Sequence, residues 1–504
     1  MKRLLAKIFA HQVVRRNKNW IDNPINAQND VFQSLIKRGK KTQFGKDHQF
    51  HKIHNYEDFK HLIPITTYED IRPYIDSILS GQKNVLWPGQ PQYLSKTSGT
   101  TSGIKYIPIT KASLPYHIKA ARDAILNYIH QTKKTDFVTG KQIFLQGSPT
   151  LEYKNGLAIG RLSGIVAHHI PQYLQKNRMP SWETNTIEDW EEKVDKIVEE
   201  TLSERMTIIA GIPPWVKMYF ERIIDKVKKP IGQHFKDFSL FIHGGVNFQP
   251  YRQSMESLIG KKIDSIETYP ASEGFIAYQD NQHRSDLLLL VNGGLFYEFV
   301  KLKEINNPNP NRIPLEDVEL HIDYVLILSS NAGLWAYNIG DTVQFTSIQP
   351  YRIIVTGRVK HFISAFGEHV IGSEVEYALN SALNTYEHSV EVNEFTVAPQ
   401  VNPPSGLPRH QWFIEFQKSP QNKKQFQYLI DQALQSKNIY YRDLVVGKVI
   451  RPLEIISIDI GGFSEYMKSI GKQGGQNKVP RLSNNRDLVQ RLKPYIISDQ
   501  LKGE

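Results

Sequence analysis

Met206-Thr207-Ile208-Ile209-Ala210-Gly211 is the stretch whose reading decides the fold. It is short and apolar, and Gly211 and Pro213-Pro214 close it, so it reads as a buried strand rather than a helix. Ser239-Leu240-Phe241-Ile242-His243-Gly244-Gly245 repeats the pattern, and Lys141-Gln142-Ile143-Phe144-Leu145-Gln146-Gly147 precedes it. Helical periodicity fills the chain around them. Residues 111–133 place Ala120, Ala121, Ala124, Ile125 and Ile129 on one face. Thr186 to Glu204 is a second amphipathic segment, with Thr186 as the expected cap and Asp189 three residues on, in the manner of a capping box. Alternating buried strands and amphipathic helices predict a layered α/β domain with sites at strand ends.

Working outward, the texture changes after Leu287. Segments 295–303, 317–329, 333–346 and 351–356 are short and β-rich, and 306–311 is an Asn/Pro loop. The expectation is a large N-terminal α/β domain over 1–358, with a β-rich, barrel-like subdomain at about 290–358. A smaller, mobile α/β C-terminal domain follows over 359–504.

Composition narrows the function. A chain of 504 residues exceeds one core, and 40% hydrophobic with 11% aromatic residues fits a filled globular interior. The net charge is +11, but the basic residues are scattered, with no basic and aromatic stripe, which argues against nucleic acid. The absence of cysteine excludes disulfides, zinc–thiolate sites and cysteine nucleophiles. Lys7, His11 and Arg15-Arg16 interrupt the apolar start, so it reads as an amphipathic helix rather than a signal peptide. No run of 18 apolar residues is present, so the expectation is a cytoplasmic monomer without membrane partners.

The chemistry-bearing motifs begin with Thr97-Ser98-Gly99-Thr100-Thr101-Ser102-Gly103-Ile104-Lys105. Glycines bring backbone N–H groups close to an anion, hydroxyls add donors and Lys105 adds charge, as a polyphosphate loop requires. The spacing is not that of a Walker loop. A flexible polar linker has the same composition. Gly244-Gly245 closes an apparent strand and leaves room for a flat ring or a phosphate. Tyr269-Pro270-Ala271-Ser272-Glu273-Gly274 sets a ring, a hydroxyl and a carboxylate after another. A carboxylate beside phosphates needs a cation between them, and magnesium takes one or two carboxylates plus phosphate oxygens. Tyr337-Asn338-Ile339-Gly340-Asp341 ends in an acid suited to ribose hydroxyls. Two basic segments follow, Gly357-Arg358-Val359-Lys360-His361 and Gly471-Lys472-Gln473-Gly474-Gly475-Gln476-Asn477-Lys478-Val479-Pro480-Arg481. Each motif taken singly also fits an ordinary turn or surface loop.

Taken in order, the set resembles the adenylate-forming superfamily. It is most similar to the acyl-acid amido synthetases, the auxin-responsive promoter family, and the chain looks like a bacterial-type member. Thr97–Gly103, Tyr269–Glu273, Trp335–Asp341, His410–Phe416 and Gln476–Arg481 carry the likeness.

The resemblance implies that Thr97, Ser98, Gly99, Thr100, Thr101, Ser102, Gly103 and Lys105 hold the ATP phosphates. Glu273 would hold Mg2+, with Ser272 near the α-phosphate. Gly244, Gly245 and Tyr269 would frame adenine, while Asp341 and Arg358 would hold the ribose. Lys478 would serve adenylation, and Arg358–His361 would be the hinge of the C-terminal domain. Trp215, Leu162, Tyr219 and Phe248 are candidates for the acyl pocket, each equally suited to the core. The implied substrates are a small carboxylic acid and an amino acid. Two rivals remain: an acyl-CoA ligase using the same acyl-adenylate, and a degenerate nucleotide-binding module.

Overall fold

The computed structural model describes residues 2–98, 104–171, 175–187, 189–245, 248–359, 362–363, 365–366, 368, 370–400, 403–446, 450–472, 478–483 and 486–497. The chain divides into two compact units. The first comprises residues 1–245 and 259–355, and the second comprises 246–258 and 356–504.

Within the first unit the strands begin with β1 (Tyr93–Ser98), β2 (Ile104–Ile109), β3 (Lys141–Leu145), β4 (Glu152–Lys154), β5 (Leu157–Gly160) and β6 (Arg178–Met179). They continue with β7 (Met206–Gly211), β8 (Leu240–Gly244), β9 (Asp264–Ala271), β10 (Gly274–Tyr278) and β11 (Leu287–Leu289). The last are β12 (Leu295–Lys301), β13 (Arg312–Pro314), β14 (Asp323–Ser330), β15 (Tyr337–Ile348) and β16 (Tyr351–Arg358), whose final three residues are grouped with the second unit. Twelve of them form one sheet in the order β13-β12-β14-β15-β16-β11-β10-β9-β8-β7-β3-β6. Strands β6, β3, β7, β8 and β9 run parallel, as continuous apolar runs such as Met206, Ile208 and Ile209 predict. The β-rich segment is the antiparallel half of the same sheet. A smaller sheet, β2-β1-β5-β4, carries the hairpin expected to bind phosphate.

Helices cover these sheets. Leu114–Thr132 occupies the place of the predicted 111–133 helix, with Pro115 in its first turn. The second predicted helix differs. Trp182–Thr186 is a short helix of its own, and a separate helix runs from Trp190 to Thr201. Asp189 caps the latter by accepting the Glu192 N–H at 2.9 Å. Thr186 instead bonds back to the Glu183 carbonyl at 2.6 Å, which ends the preceding turn. The carboxylate is the better acceptor at a helix start, where the dipole favours negative charge.

A buried ion pair fastens the antiparallel edge. Arg312 Nε lies 3.1 Å from Glu298 Oε1, and both side chains are almost fully buried. Burial pushes the Glu298 carboxyl up, and the Arg312 charge opposes that shift. Arg312 Nη2 also donates to the carbonyls of Lys60 and Ile63 at the end of the helix Tyr56–Leu62. Three residues on, Thr66 exchanges backbone bonds with Ala336 and Asn338, beside the start of β15.

The second unit holds the hairpin β17 (Phe362–Ile363) and β18 (Val370–Ile371). Its main sheet is β19 (Glu391–Gln400), β20 (Arg409–Lys418) and β21 (Glu454–Ile458), in that order. Trp412, Ile414 and Phe416 of β20 pack with Val375 and Leu379 of the helix Gly372–Thr385 and with Ile430 and Leu434 of Lys423–Lys437. A large α/β domain with a smaller C-terminal α/β domain is therefore the observed class.

Arg312→Met should destabilise the first unit by about 3–5 kcal/mol, because it strands the Glu298 charge in the core. The double variant Glu298→Met/Arg312→Met should recover most of that loss. Urea unfolding of the three proteins checks this, and equal midpoints for the single and double variants would refute it.

Candidate active site

The site residues of the first unit converge on the ends of β8 and β9 and on β15. Gly244 pairs with Thr268 across β8 and β9. A Cβ on Gly244 would lie 2.2 Å from the Thr268 carbonyl oxygen, so no larger residue fits this pairing. Gly245 follows with φ +80°, the left-handed region that lets the chain leave the sheet.

Tyr269, one residue beyond Thr268, is buried, and its hydroxyl donates to Asp341 Oδ2 at 2.5 Å. Asp341 owes its place to a bulge. Asn338 pairs with Ile327 and Thr342 with Val325, so Ile339, Gly340 and Asp341 together oppose Leu326 alone. Gly340 has φ +81°, and its N–H donates to Asn338 Oδ1 at 2.8 Å. This tight turn delivers a carboxylate that is only 6% exposed.

The turn between β9 and β10 carries Ser272 and Glu273. Ser272 is buried, with its Oγ 2.9 Å from Ser95 Oγ on β1, and Glu273 is half-buried. That contact joins the small sheet to the large one. It sets the β1–β2 hairpin, in which Thr97 pairs with Lys105 and Ser98 with Ile104. The predicted tip residues Gly99, Thr100, Thr101, Ser102 and Gly103 lie outside the described residues, as do the side chains of Ser98 and Arg358. The Lys105 ammonium sits 5.5 Å from the Tyr68 ring centroid, and the Tyr68 hydroxyl accepts the Tyr106 N–H at 3.0 Å.

The acyl-pocket candidates fall in both units. Leu162 packs with Ile109, Leu114 and Ile165. Tyr219 is fully buried, with its hydroxyl 2.7 Å from Thr201 Oγ1. Trp215 is half-buried in the first turn of the helix Pro213–Val227. Phe248 belongs to the second unit, beneath the Arg252 guanidinium at 5.2 Å. Lys478 also belongs to the second unit and is exposed.

Among the described residues no cluster of three or more acids and histidines forms a metal cage. Glu273 is a hard oxygen donor on a half-buried turn, which fits an ion that takes most of its ligands from phosphate and water. Two residues that the motif reading passed over belong to this region. Ser95 lies two positions before Thr97, on the same face of β1 by the strand period, and that spacing was a usable signal. Tyr68 carried no local signal, because its role comes from a contact 38 residues away.

Comparison with known proteins identifies the class. The GH3 family N-terminal domain matches residues 14–189, the central domain 288–358 and the C-terminal domain 373–487. The chain belongs to the GH3 family. It is 22% identical over 578 residues to indole-3-acetic acid-amido synthetase GH3.15 of Arabidopsis thaliana, covering 95% of this chain and 94% of that one. It is also 22% identical over 386 residues to jasmonoyl–L-amino acid synthetase JAR4 of Nicotiana attenuata, over 63% of this chain and 66% of that one. The solved GH3.15 acyl acid amido synthetase shares its fold, with a TM-score of 0.81, 17% identity and 96% of each chain covered. A 2-hydroxyisobutyryl-CoA ligase in the postadenylation state shares the fold more distantly, with a TM-score of 0.61, 13% identity and 93% and 91% covered. These relatives correct one expectation. The GH3 proteins matched along the chain are plant enzymes, so the bacterial-type assignment does not hold.

Gly244→Ala should force β8 and β9 apart and cost about 1–3 kcal/mol, because the colliding atom is backbone. A lowered thermal midpoint checks this. An unchanged midpoint would show that the two strands are not held this closely.

Proposed function

We propose that the protein is an ATP-dependent acyl-acid amido synthetase that adenylates a carboxylic acid and passes the acyl group to an amino acid. One observation carries the reading. Gly244-Gly245, the Tyr269–Asp341 bond and the Ser272-Glu273 turn meet at one end of the sheet. They do so in a chain aligned over nearly its whole length with an enzyme named as an amido synthetase.

The chemistry follows from the charges. A carboxylate oxygen attacks the α-phosphorus of ATP, the bond to the β-phosphate bridging oxygen breaks, and pyrophosphate leaves. The acyl carbon now carries AMP as its leaving group. The amine attacks that carbon, the bond to AMP oxygen breaks, and the amine loses a proton as the amide forms. Two anions meet in the first step, so cationic and N–H groups must offset charge away from water. The β1–β2 hairpin with Thr97 and Lys105, together with Lys478, supplies these groups in this reading. Asp341 keeps acceptor capacity beside its bond from Tyr269 and takes the ribose hydroxyls. Bound magnesium would neutralise phosphate charge, and Glu273 would hold it. The stacking of adenine falls to Gly244, Gly245 and Tyr269.

Pyrophosphate exchange with a panel of aryl and alkyl acids tests the first half of the proposal. Mass spectrometry with amino acids and with coenzyme A as acceptors tests the second. Amide products support the reading, thioester products favour an acyl-CoA ligase, and the absence of exchange across the panel favours a nucleotide-binding module. Lys478→Ala should slow exchange by about 10²–10³-fold, with ATP binding changed far less, as for a group that acts on transition-state charge. Exchange at the wild-type rate would remove Lys478 from the reaction. Glu273→Gln should raise the magnesium concentration needed for half-maximal exchange about tenfold or more. An unshifted magnesium titration would remove Glu273 from the metal site.

A further inference from the structure

Lys478 stands exposed just before a segment that is held unusually firmly. Val479 is buried against the cluster of Ala398, Phe413 and Phe463. Thr396 Oγ1 donates to the Pro480 carbonyl at 2.6 Å. The Val397 N–H donates to Arg481 at 2.9 Å, and Ser483 donates back to Val397 at 3.0 Å. Residues 481–483 thus run beside β19 as a short parallel extension, with Leu482 bridging Val397.

Arg481 secures this extension with every part of its guanidinium. Nη1 pairs with Glu394 Oε1 and donates to the Phe395 carbonyl at 3.3 Å. Nε lies 3.4 Å from Glu376 Oε1, and Nη2 donates to the Tyr251 hydroxyl at 3.1 Å. The guanidinium also covers the Phe395 ring at 4.7 Å. The side chain is only 14% exposed. Two carboxylates around one buried guanidinium raise its already high pKa. Tyr251, grouped with the second unit, lies on the helix Gln249–Ile259, a few residues after Gly244-Gly245 in the chain.

We infer that Arg481 is a positioning residue for Lys478, fixing the base from which the lysine reaches. This rests on the reading of Lys478 as the adenylation lysine. Only Val479 and Pro480 separate the two, a span of at most about 10 Å between their Cα atoms. A base that moved by an ångström would carry the ammonium with it, and charge stabilisation in a transition state depends steeply on such placement. Lysine cannot replace the arginine, because a point charge lacks the planar set of donors that engages Glu394, Glu376, Phe395 and Tyr251 together.

The experiment compares Lys478→Ala, Arg481→Lys, Tyr251→Phe and the double variant Lys478→Ala/Arg481→Lys with wild type. It measures pyrophosphate exchange, the KM for ATP and the thermal midpoint. Arg481→Lys should lower the exchange kcat tenfold or more and Tyr251→Phe threefold or more, each with KM for ATP within twofold of wild type. On the Lys478→Ala background, Arg481→Lys should cost nothing further, since its effect passes through the lysine. A merely structural role would instead lower the midpoint and give additive losses. Additive losses, or no loss in either single variant, would overturn the anchor alone. Undiminished exchange in Lys478→Ala would overturn both the anchor and the role given to that lysine. Should Arg481→Lys fail to fold, Tyr251→Phe and its combination with Lys478→Ala decide the question, because they remove one hydroxyl from the same network.

Discussion

Within the first unit, one bond ties the parallel half of the large sheet to its antiparallel half, from the Tyr269 hydroxyl to the Asp341 carboxylate. These residues sit on β9 and β15, four strands apart in the order β15-β16-β11-β10-β9. In a flat sheet that separation is about 19 Å, further than a tyrosine and an aspartate can span end to end. The bond therefore requires the antiparallel half of the sheet to curl back toward the parallel half. The β-rich segment stays continuous with the layered α/β part, as one sheet of twelve strands. The curl also brings the Asp341 carboxylate to the end of β9.

Around that bond, the arrangement is set by backbone fit more than by side-chain affinity. Gly244 allows two parallel strands to pair where any Cβ would meet a carbonyl. The bulge opposite Leu326 turns Asp341 inward, and the Ser95–Ser272 contact aligns the hairpin of the small sheet with the β9–β10 turn. Each contact is local and rigid. Sites held this way place their groups before the ligand arrives, so little reorganisation is needed when charge develops.

The fold was legible because its signals are periodic. Met206–Gly211 and Leu240–Gly244 are strands where continuous apolar runs flanked by glycine placed them. The helix split near Asp189 was misread because Thr186 and Asp189 are both capping residues, and only the hydrogen-bond geometry chooses between them. In the site, Gly244, Tyr269, Ser272, Glu273 and Asp341 were legible as motifs, since each lies at a strand end or turn where spacing carries meaning. Tyr68 and the Arg481 network were not. Their roles arise from partners 38 to 230 residues away, and no local pattern encodes such distances. The acyl-pocket candidates were chosen by apolarity alone, a property that Leu162 and Tyr219 share with every core residue.

The helix Gln249–Ile259 packs with a partner that the ribosome makes much later. Tyr251 leaves the exit tunnel 230 residues before Arg481. At about 5–20 residues per second, the interval is roughly 10–50 s. Throughout that time the β8 and β9 strands on either side of it can already pair, while the Tyr251 hydroxyl has no Arg481 to meet. The nascent chain therefore carries Tyr251 without its Arg481 partner through nearly half of its synthesis.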